Sequence, residues 1–206
     1  MKRVINMIIV DESGSMSIIE KQALAGLNET LETVKKMQEV HPEMEQRISL
    51  LTFCSNHITL VLDNVSAERA NLLSEKDYNP GGCTPLYDAI GKAISLLIAQ
   101  TTDKDNVLVT IITDGEENSS KEYNLRMINT LIEKMKKQKW IFTLIGTDNL
   151  DIEEMAGQMN IDNHLSFEED DKGTREMFER ECRARIRYNA RVAECCCLEN
   201  SGYFDS

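Results

Sequence analysis

The chain of 206 residues predicts an α/β fold, Rossmann-like and doubly wound: a mainly parallel six-stranded sheet with one antiparallel edge strand and helices on both faces. Three observations carry this. Apolar runs at residues 4–10, 107–113 and 140–145 read as strands buried on both sides, because only a strand covered on two faces is aliphatic almost throughout. Stretches of helical periodicity alternate with the strands, the pattern of parallel strands joined by crossover helices. Two of the runs also share an ending, a carboxylate at the strand exit followed by a turn, supplied by Asp11 in the first and by Asp114-Gly115 in the second.

The elements follow in order. Residues 18–40 place Ile19, Ala23, Leu27, Leu31, Val34 and Met37 on one face with charged residues between them, which predicts a long helix starting near Ser17 and stopping before Pro42. Residues 47–54 and 58–62 flank the short Ser55-Asn56 link and predict a hairpin, whose returning strand is the antiparallel edge. A short helix is expected over 67–73. The run Asn79-Pro80-Gly81-Gly82-Cys83-Thr84-Pro85 is the strongest turn signal in the chain. Pro85 suits a first helical position with Thr84 as N-cap, and 86–101 continues as a helix with Ile90, Ala93, Ile94 and Leu97 inward.

Beyond the strand at 107–113, a polar segment at 116–121 leads into a helix over about 122–137, with Leu125, Ile128, Ile132 and Met135 on one face. The strand at 140–145 is closed by Gly146. A helix over 152–159, a short strand at 164–167 and a helix from 174 to about 192 complete the pattern. Residues 1–193 are therefore expected to form one domain. Residues 194–206 show no clear periodicity and are expected to form a frayed or loosely docked tail.

Composition bounds the function. With 41% hydrophobic and 28% charged residues the chain is that of an ordinary globular protein. Its net charge of −12 opposes general affinity for nucleic acid or anionic membrane, whose binding is dominated by attraction to cations. The apolar stretch after Met1-Lys2-Arg3 is too short for a membrane span and lacks a secretory cleavage signature, so a cytoplasmic location is expected. Cys54, Cys83, Cys182 and the triplet Cys195-Cys196-Cys197 form no spaced framework, and reduced thiols are expected. They also lack the C-x-x-C pairs of a zinc site. The last helix concentrates Arg175, Arg180, Arg183, Arg185, Arg187 and Arg191. They are read as a solvated face paired with Glu176, Glu179 and Glu181, a docking surface for an acidic partner being the alternative.

Three loops are expected on the sheet edge where ligands bind in open α/β folds. The first carries Asp11, Ser13 and Ser15, the second Thr84 behind Gly81 and Gly82, the third Asp114. Each residue has a plain alternative as a turn former or helix cap. Together, two carboxylates and three hydroxyls make an all-oxygen set that suits Mg²⁺, with Mn²⁺ as an alternative, and suits zinc or copper poorly.

The Asp11-x-Ser13-x-Ser15 motif, the Gly81-to-Pro85 loop and the Ile112-Thr113-Asp114-Gly115 exit resemble the von Willebrand factor type A domain and its metal-ion-dependent adhesion site. The likeness spans almost the whole chain and is most similar to compact, stand-alone bacterial members. It implies that Ser13, Ser15 and Thr84 bind the ion directly, that Asp11 and Asp114 act mainly through coordinated water, and that an Asp or Glu of a partner protein completes the octahedron. It also implies bacterial partners among ATPase chaperones, kinases or stress-response systems. The expected function is a metal-dependent protein-binding module. The alternative is a metal-dependent phosphohydrolase, for which no general base is evident: His57 at the hairpin tip is the one histidine expected near this edge, while Glu12, Glu116 and Glu117 are read as rim or solubilising charges. No G-x-x-x-x-G-K loop for nucleotide is present.

Overall fold

In the computed structural model, which describes residues 1–194 and 202–205, the first aliphatic run is β1 (Lys2–Asp11) and lies in the middle of the sheet. Its side chains alternate between the two faces, as a pleated strand requires. Val4, Ile8 and Val10 enter one apolar layer, and Ile5, Met7 and Ile9 the other. β2 (Met44–Cys54) and β4 (Asn106–Thr113) pair with it in parallel on either side. β3 (His57–Ser66) returns antiparallel beside β2, while β5 (Ile141–Thr147) and β6 (Asn163–Phe167) extend the parallel sheet beyond β4. The order is β3-β2-β1-β4-β5-β6, the predicted six strands with one antiparallel edge.

Helices cover both faces. α1 (Glu20–Val40) and α5 (Asp171–Ala193) pack on one, burying Leu27, Leu31, Met177 and Phe178 among others. α2 (Leu86–Gln100), α3 (Leu125–Lys136) and α4 (Ile152–Met159) pack on the other around Ile90, Ile132 and Phe142. Among the described residues no helix is long and apolar enough to cross a membrane.

Several local expectations are corrected. The helix expected at 67–73 is only a 3₁₀ turn at Ala67–Arg69. Asn28, projecting from α1, accepts from the backbone of Leu73 at 2.7 Å and donates to its carbonyl at 3.0 Å, which holds the chain there in a non-helical course. Residues Gly14–Ile18 form a 3₁₀ turn, so α1 starts at Glu20 rather than near Ser17. Thr84 does not cap α2: Pro85 occupies the N-cap position, and the first-turn N–H groups of Tyr87 and Asp88 are taken by Glu117 at 2.9 Å and by the Ser120 hydroxyl at 3.0 Å. The true caps elsewhere are Asn124, Asp151 and Asp170, each accepting from a backbone N–H in the first turn.

The arginine-rich last helix is corrected most. Arg185 is not on a solvated face but is fully buried, paired with Glu181 one turn earlier and reaching Asn6 on β1 and Thr110 on β4. Arg183, by contrast, makes the expected exposed pair with Glu179 at 3.6 Å. The cysteine triplet lies outside the described residues. Beyond it, Tyr203 and Phe204 are buried against the α1 and α5 layer. The Tyr203 hydroxyl donates to Glu181 at 3.1 Å, and its backbone N–H donates to Asn163 at 2.9 Å.

At the opposite end of the sheet from the strand exits, Arg3 grips Asp105 through Nε at 2.8 Å and through a second, shorter contact. Burial pushes the Asp105 carboxyl up, but Arg3 and Thr102 outweigh it and hold it below the usual carboxylate range. A depressed carboxylate stabilises the fold above its unfolded pKa, and that contribution is lost as the pH falls through the folded value. Asp105→Asn is therefore expected to lower stability near neutral pH by about 1 kcal/mol, the scale of a bidentate surface pair. The deficit in the urea midpoint should shrink towards zero below pH ~3, and a deficit that persists there would refute the ion-pair origin.

Candidate metal site

The site is built where β1 leaves the sheet. Asp11 is fully buried at the strand end and both its carboxylate oxygens are engaged. Oδ1 accepts from the backbone N–H of Ser13 at 2.7 Å, and Oδ2 accepts from the Thr113 hydroxyl at 2.6 Å. The first bond bends the chain into the 3₁₀ turn that carries Ser15. The second ties β1 to β4 at their ends. Tyr78, itself buried, donates its hydroxyl to the Asp11 carbonyl at 2.8 Å.

The glycine loop is stitched onto this turn by backbone bonds. Gly81 donates to the Glu12 carbonyl at 2.8 Å, and Gly14 donates to the Gly82 carbonyl at 3.0 Å. Gly82 adopts φ +81, and a Cβ there would stand 2.5 Å from the Ser55 hydroxyl, so both conformation and space require glycine. On the far side, Thr84 exchanges bonds with Asn118: its N–H donates to the Asn118 side chain at 2.8 Å and its carbonyl accepts from the Asn118 N–H at 3.1 Å. Thr84 is thus clamped to the loop leaving β4. A Cβ on Gly115 would stand 3.0 Å from the Thr84 hydroxyl, which places that hydroxyl beside the residue next to Asp114.

The structure therefore brings together all five sequence-predicted residues. Ser13 Oγ lies 3.3 Å from Ser15 Oγ and 3.5 Å from Asp114 Oδ1. The other oxygen of Asp114, Oδ2, is buried with no hydrogen-bond partner among the described residues. Burial pushes the Asp11 carboxyl up to about 6; the Thr113 hydroxyl and Ser13 oppose the rise and the charge of Asp114 adds to it. Asp114 is raised too, again chiefly by burial, against bonds from Ser15 and Ser13. Two carboxylates share a water-poor crevice, and an unpaired buried carboxylate oxygen is costly unless a cation or donor meets it.

These residues fit a hard divalent cation. The donors are oxygens only, the hydroxyls are neutral, and Asp114 offers an oxygen that no group among the described residues satisfies. Among the described residues no group of three or more His, Cys, Asp or Glu could hold a metal.

The sequence reasoning missed several supporting residues. Glu12 is not a rim charge: it is buried, takes His57 Nε2 at 3.0 Å on one oxygen and the backbone of Asn79 on the other. Thr113 was legible only as part of an apolar run, although a hydroxyl directly before the exit carboxylate was a signal. Glu117 is drawn inward, accepting from the backbone of Tyr87 at 2.9 Å and of Ser119 at 2.8 Å, whereas Glu116 is exposed. Cys83, next to Thr84, is exposed and free.

Similar architectures occur in solved structures. The chain has a TM-score of 0.68 and 12% identity to the pilus adhesin SpaC from Lactobacillus rhamnosus GG in its open conformation, covering 91% of this chain and 30% of that one. For the von Willebrand factor domain of the type V pili tip protein Mfa5 from Porphyromonas gingivalis the TM-score is 0.63 at 8% identity, with 98% of each chain covered. For the PilB minor pilin from Streptococcus sanguinis it is 0.60 at 12% identity, with 95% of this chain and 62% of the pilin covered. The chain thus spans under two thirds of the pilin and under one third of the adhesin, and at such identities the likeness is one of fold. No curated protein matches the chain in sequence. The family model of the von Willebrand factor type A domain matches residues 7–180, from within β1 to within α5, and the chain belongs to that family.

Proposed function

We propose that the chain is a metal-dependent protein-binding module. It holds Mg²⁺ at the β1, β4 and glycine-loop edge and captures an acidic side chain of a partner protein, in the cytoplasm. The family is one of protein-interaction modules, and the observation that carries the finer reading is Asp114, whose Oδ1 lies 3.5 Å from the Ser13 hydroxyl and whose Oδ2 is buried with no hydrogen-bond partner among the described residues. Ser13, Ser15 and Thr84 would supply neutral oxygens to the ion, and Asp11 and Asp114 the charge that balances it. Bound there, Mg²⁺ would keep Lewis-acid character towards an anionic oxygen from outside. Asp11 fixes the turn that presents the serines, and Asn118 fixes Thr84.

The test is a thermal unfolding series in MgCl₂, MnCl₂ and EDTA. Saturating Mg²⁺, at about 100 times its Kd, should add about 2.7 kcal/mol of stability, seen as a rise in Tm of several degrees. The double variant Ser13→Ala/Ser15→Ala should fold and lose the rise. A wild-type Tm that ignores both ions would sink the metal reading. Metal-dependent turnover of a generic phosphoester by protein free of phosphatase would instead favour the hydrolase.

A further inference from the structure

The candidate metal site opens onto a surface with two unlike flanks. On one, Ile18 ends the 3₁₀ turn that carries Ser15 and leaves 65% of its surface in water, more than any other large apolar side chain among the described residues except Met1. On the other, β4, β5 and β6 run parallel to β1, so their exits line the same edge. Those exit segments, 114–124, 148–151 and 168–172, carry ten carboxylates and two lysines. Of the lysines, Lys172 is drawn to Glu176 at 3.5 Å.

The acidic arc is more than generic solubilising charge. Glu116, Asp148 and Glu168 are exposed. Glu169 reports the field between the loops: burial raises its carboxyl, and the charges of Asp114 and Asp148 raise it further. At the inner end of the arc stands Asp114, with a buried oxygen that has no hydrogen-bond partner among the described residues. The charge of a divalent ion would be balanced by Asp11 and Asp114 alone, which leaves the outer carboxylates uncompensated. An acidic segment approaching the ion would enter this field within about one Debye length, roughly 8 Å at physiological salt, and be repelled.

We propose that this edge recognises a protein segment in which the metal-completing Asp or Glu lies between an apolar residue, which covers Ile18, and lysines or arginines, which meet the arc formed by the β4, β5 and β6 exits. The proposal rests on the metal reading above and specifies its partner. Cations on the segment turn repulsion into steering and exclude purely acidic competitors. Ile18 supplies the apolar contact that a charged rim lacks.

The test uses the full chain and two fluorescein-labelled peptides, Leu-Gly-Asp-Gly-Lys-Lys-Lys and Leu-Gly-Asp-Gly-Glu-Glu-Glu, followed by anisotropy at low salt in Mg²⁺ and in EDTA. The lysine peptide should bind about tenfold or more tightly than the glutamate peptide in Mg²⁺, and lose binding in EDTA. The variant Glu116→Gln/Asp148→Asn/Glu168→Gln should reduce that preference to about threefold or less, and Ile18→Ser should weaken the lysine peptide while sparing the Mg²⁺ rise in Tm. Three results would overturn the proposal and leave metal binding standing: equal affinity for the two peptides, lysine-peptide binding indifferent to EDTA, or no lysine-peptide binding by protein whose Tm rises with Mg²⁺. A Tm that does not respond to Mg²⁺ would take down the metal reading and this proposal together.

Discussion

Replacing Arg185 by alanine is expected to destabilise the protein by about 3–5 kcal/mol, the cost of stranding one partner of a buried ion pair. The guanidinium is entirely shielded from water. Its Nε donates to Glu181 at 3.0 Å and its Nη2 at 2.5 Å, while Nη1 donates to Asn6 at 2.6 Å and Nη2 also to Thr110 at 2.9 Å. Without it, Glu181 is left buried with the Tyr203 hydroxyl as its remaining donor among the described residues. Asn6 and Thr110 lose a donor as well. The same reasoning predicts that Arg185→Met/Glu181→Met recovers most of the loss, because an apolar pair of similar volume needs no desolvated charges. Urea unfolding of the three proteins decides it. A loss below about 1 kcal/mol for the single variant would mean that water reaches Glu181.

Arg185 also marks where sequence reasoning stopped. Helical periodicity gave α5 its length and its apolar face, but an arginine in a charged helix reads as solvated unless its partners are known. Those partners lie on β1 and β4, far away in sequence, each as a single polar residue in an aliphatic run. Asn6 interrupts Val4, Ile8 and Val10 on one face of β1, and Thr110 lies between Leu108 and Ile112 on β4. The signal was present as polar interruptions, and only the strand register turned them into one cluster. The runs themselves were readable because burial on both faces demands an almost unbroken aliphatic sequence. The non-helical course at 70–73 was not, since it depends on Asn28 reaching across from α1.

The residues of the candidate metal site were legible for a different reason. A parallel sheet places every strand exit on one edge, so carboxylates at two exits and a glycine-rich entry to a helix converge once β1 and β4 are neighbours. What the motif could not reveal is the division of labour between the two carboxylates. Asp11 has a structural task, because it receives Ser13 and Thr113 and sets the turn. Asp114 has a lighter one: its Oδ1 meets Ser13 at 3.5 Å, the Ser15 hydroxyl also favours its ionised form, and its Oδ2 has no hydrogen-bond partner among the described residues.

Asp114→Asn is therefore expected to move stability in opposite directions with and without metal. In EDTA the variant should be more stable than the wild type by about 1–2 kcal/mol, because it removes a charge that burial disfavours and that faces Asp11. This corresponds to a rise of several degrees in Tm, at about 2–4 °C per kcal/mol for a chain of this size. In saturating Mg²⁺ the order should reverse, since the wild type gains the binding free energy and the variant lacks the anionic oxygen that earns most of it. The crossover separates the two roles a buried carboxylate can have. A group that the fold uses is destabilising to remove under all conditions, whereas a group retained for a ligand weakens the fold until the ligand arrives. If the variant were less stable than the wild type in EDTA, Asp114 would be part of the scaffold and its unpartnered oxygen would lose its meaning as a site. If it were more stable in EDTA and still gained the full Mg²⁺ rise, the ion would bind without Asp114, and the ligand set would have to be centred on Asp11 and the two serines.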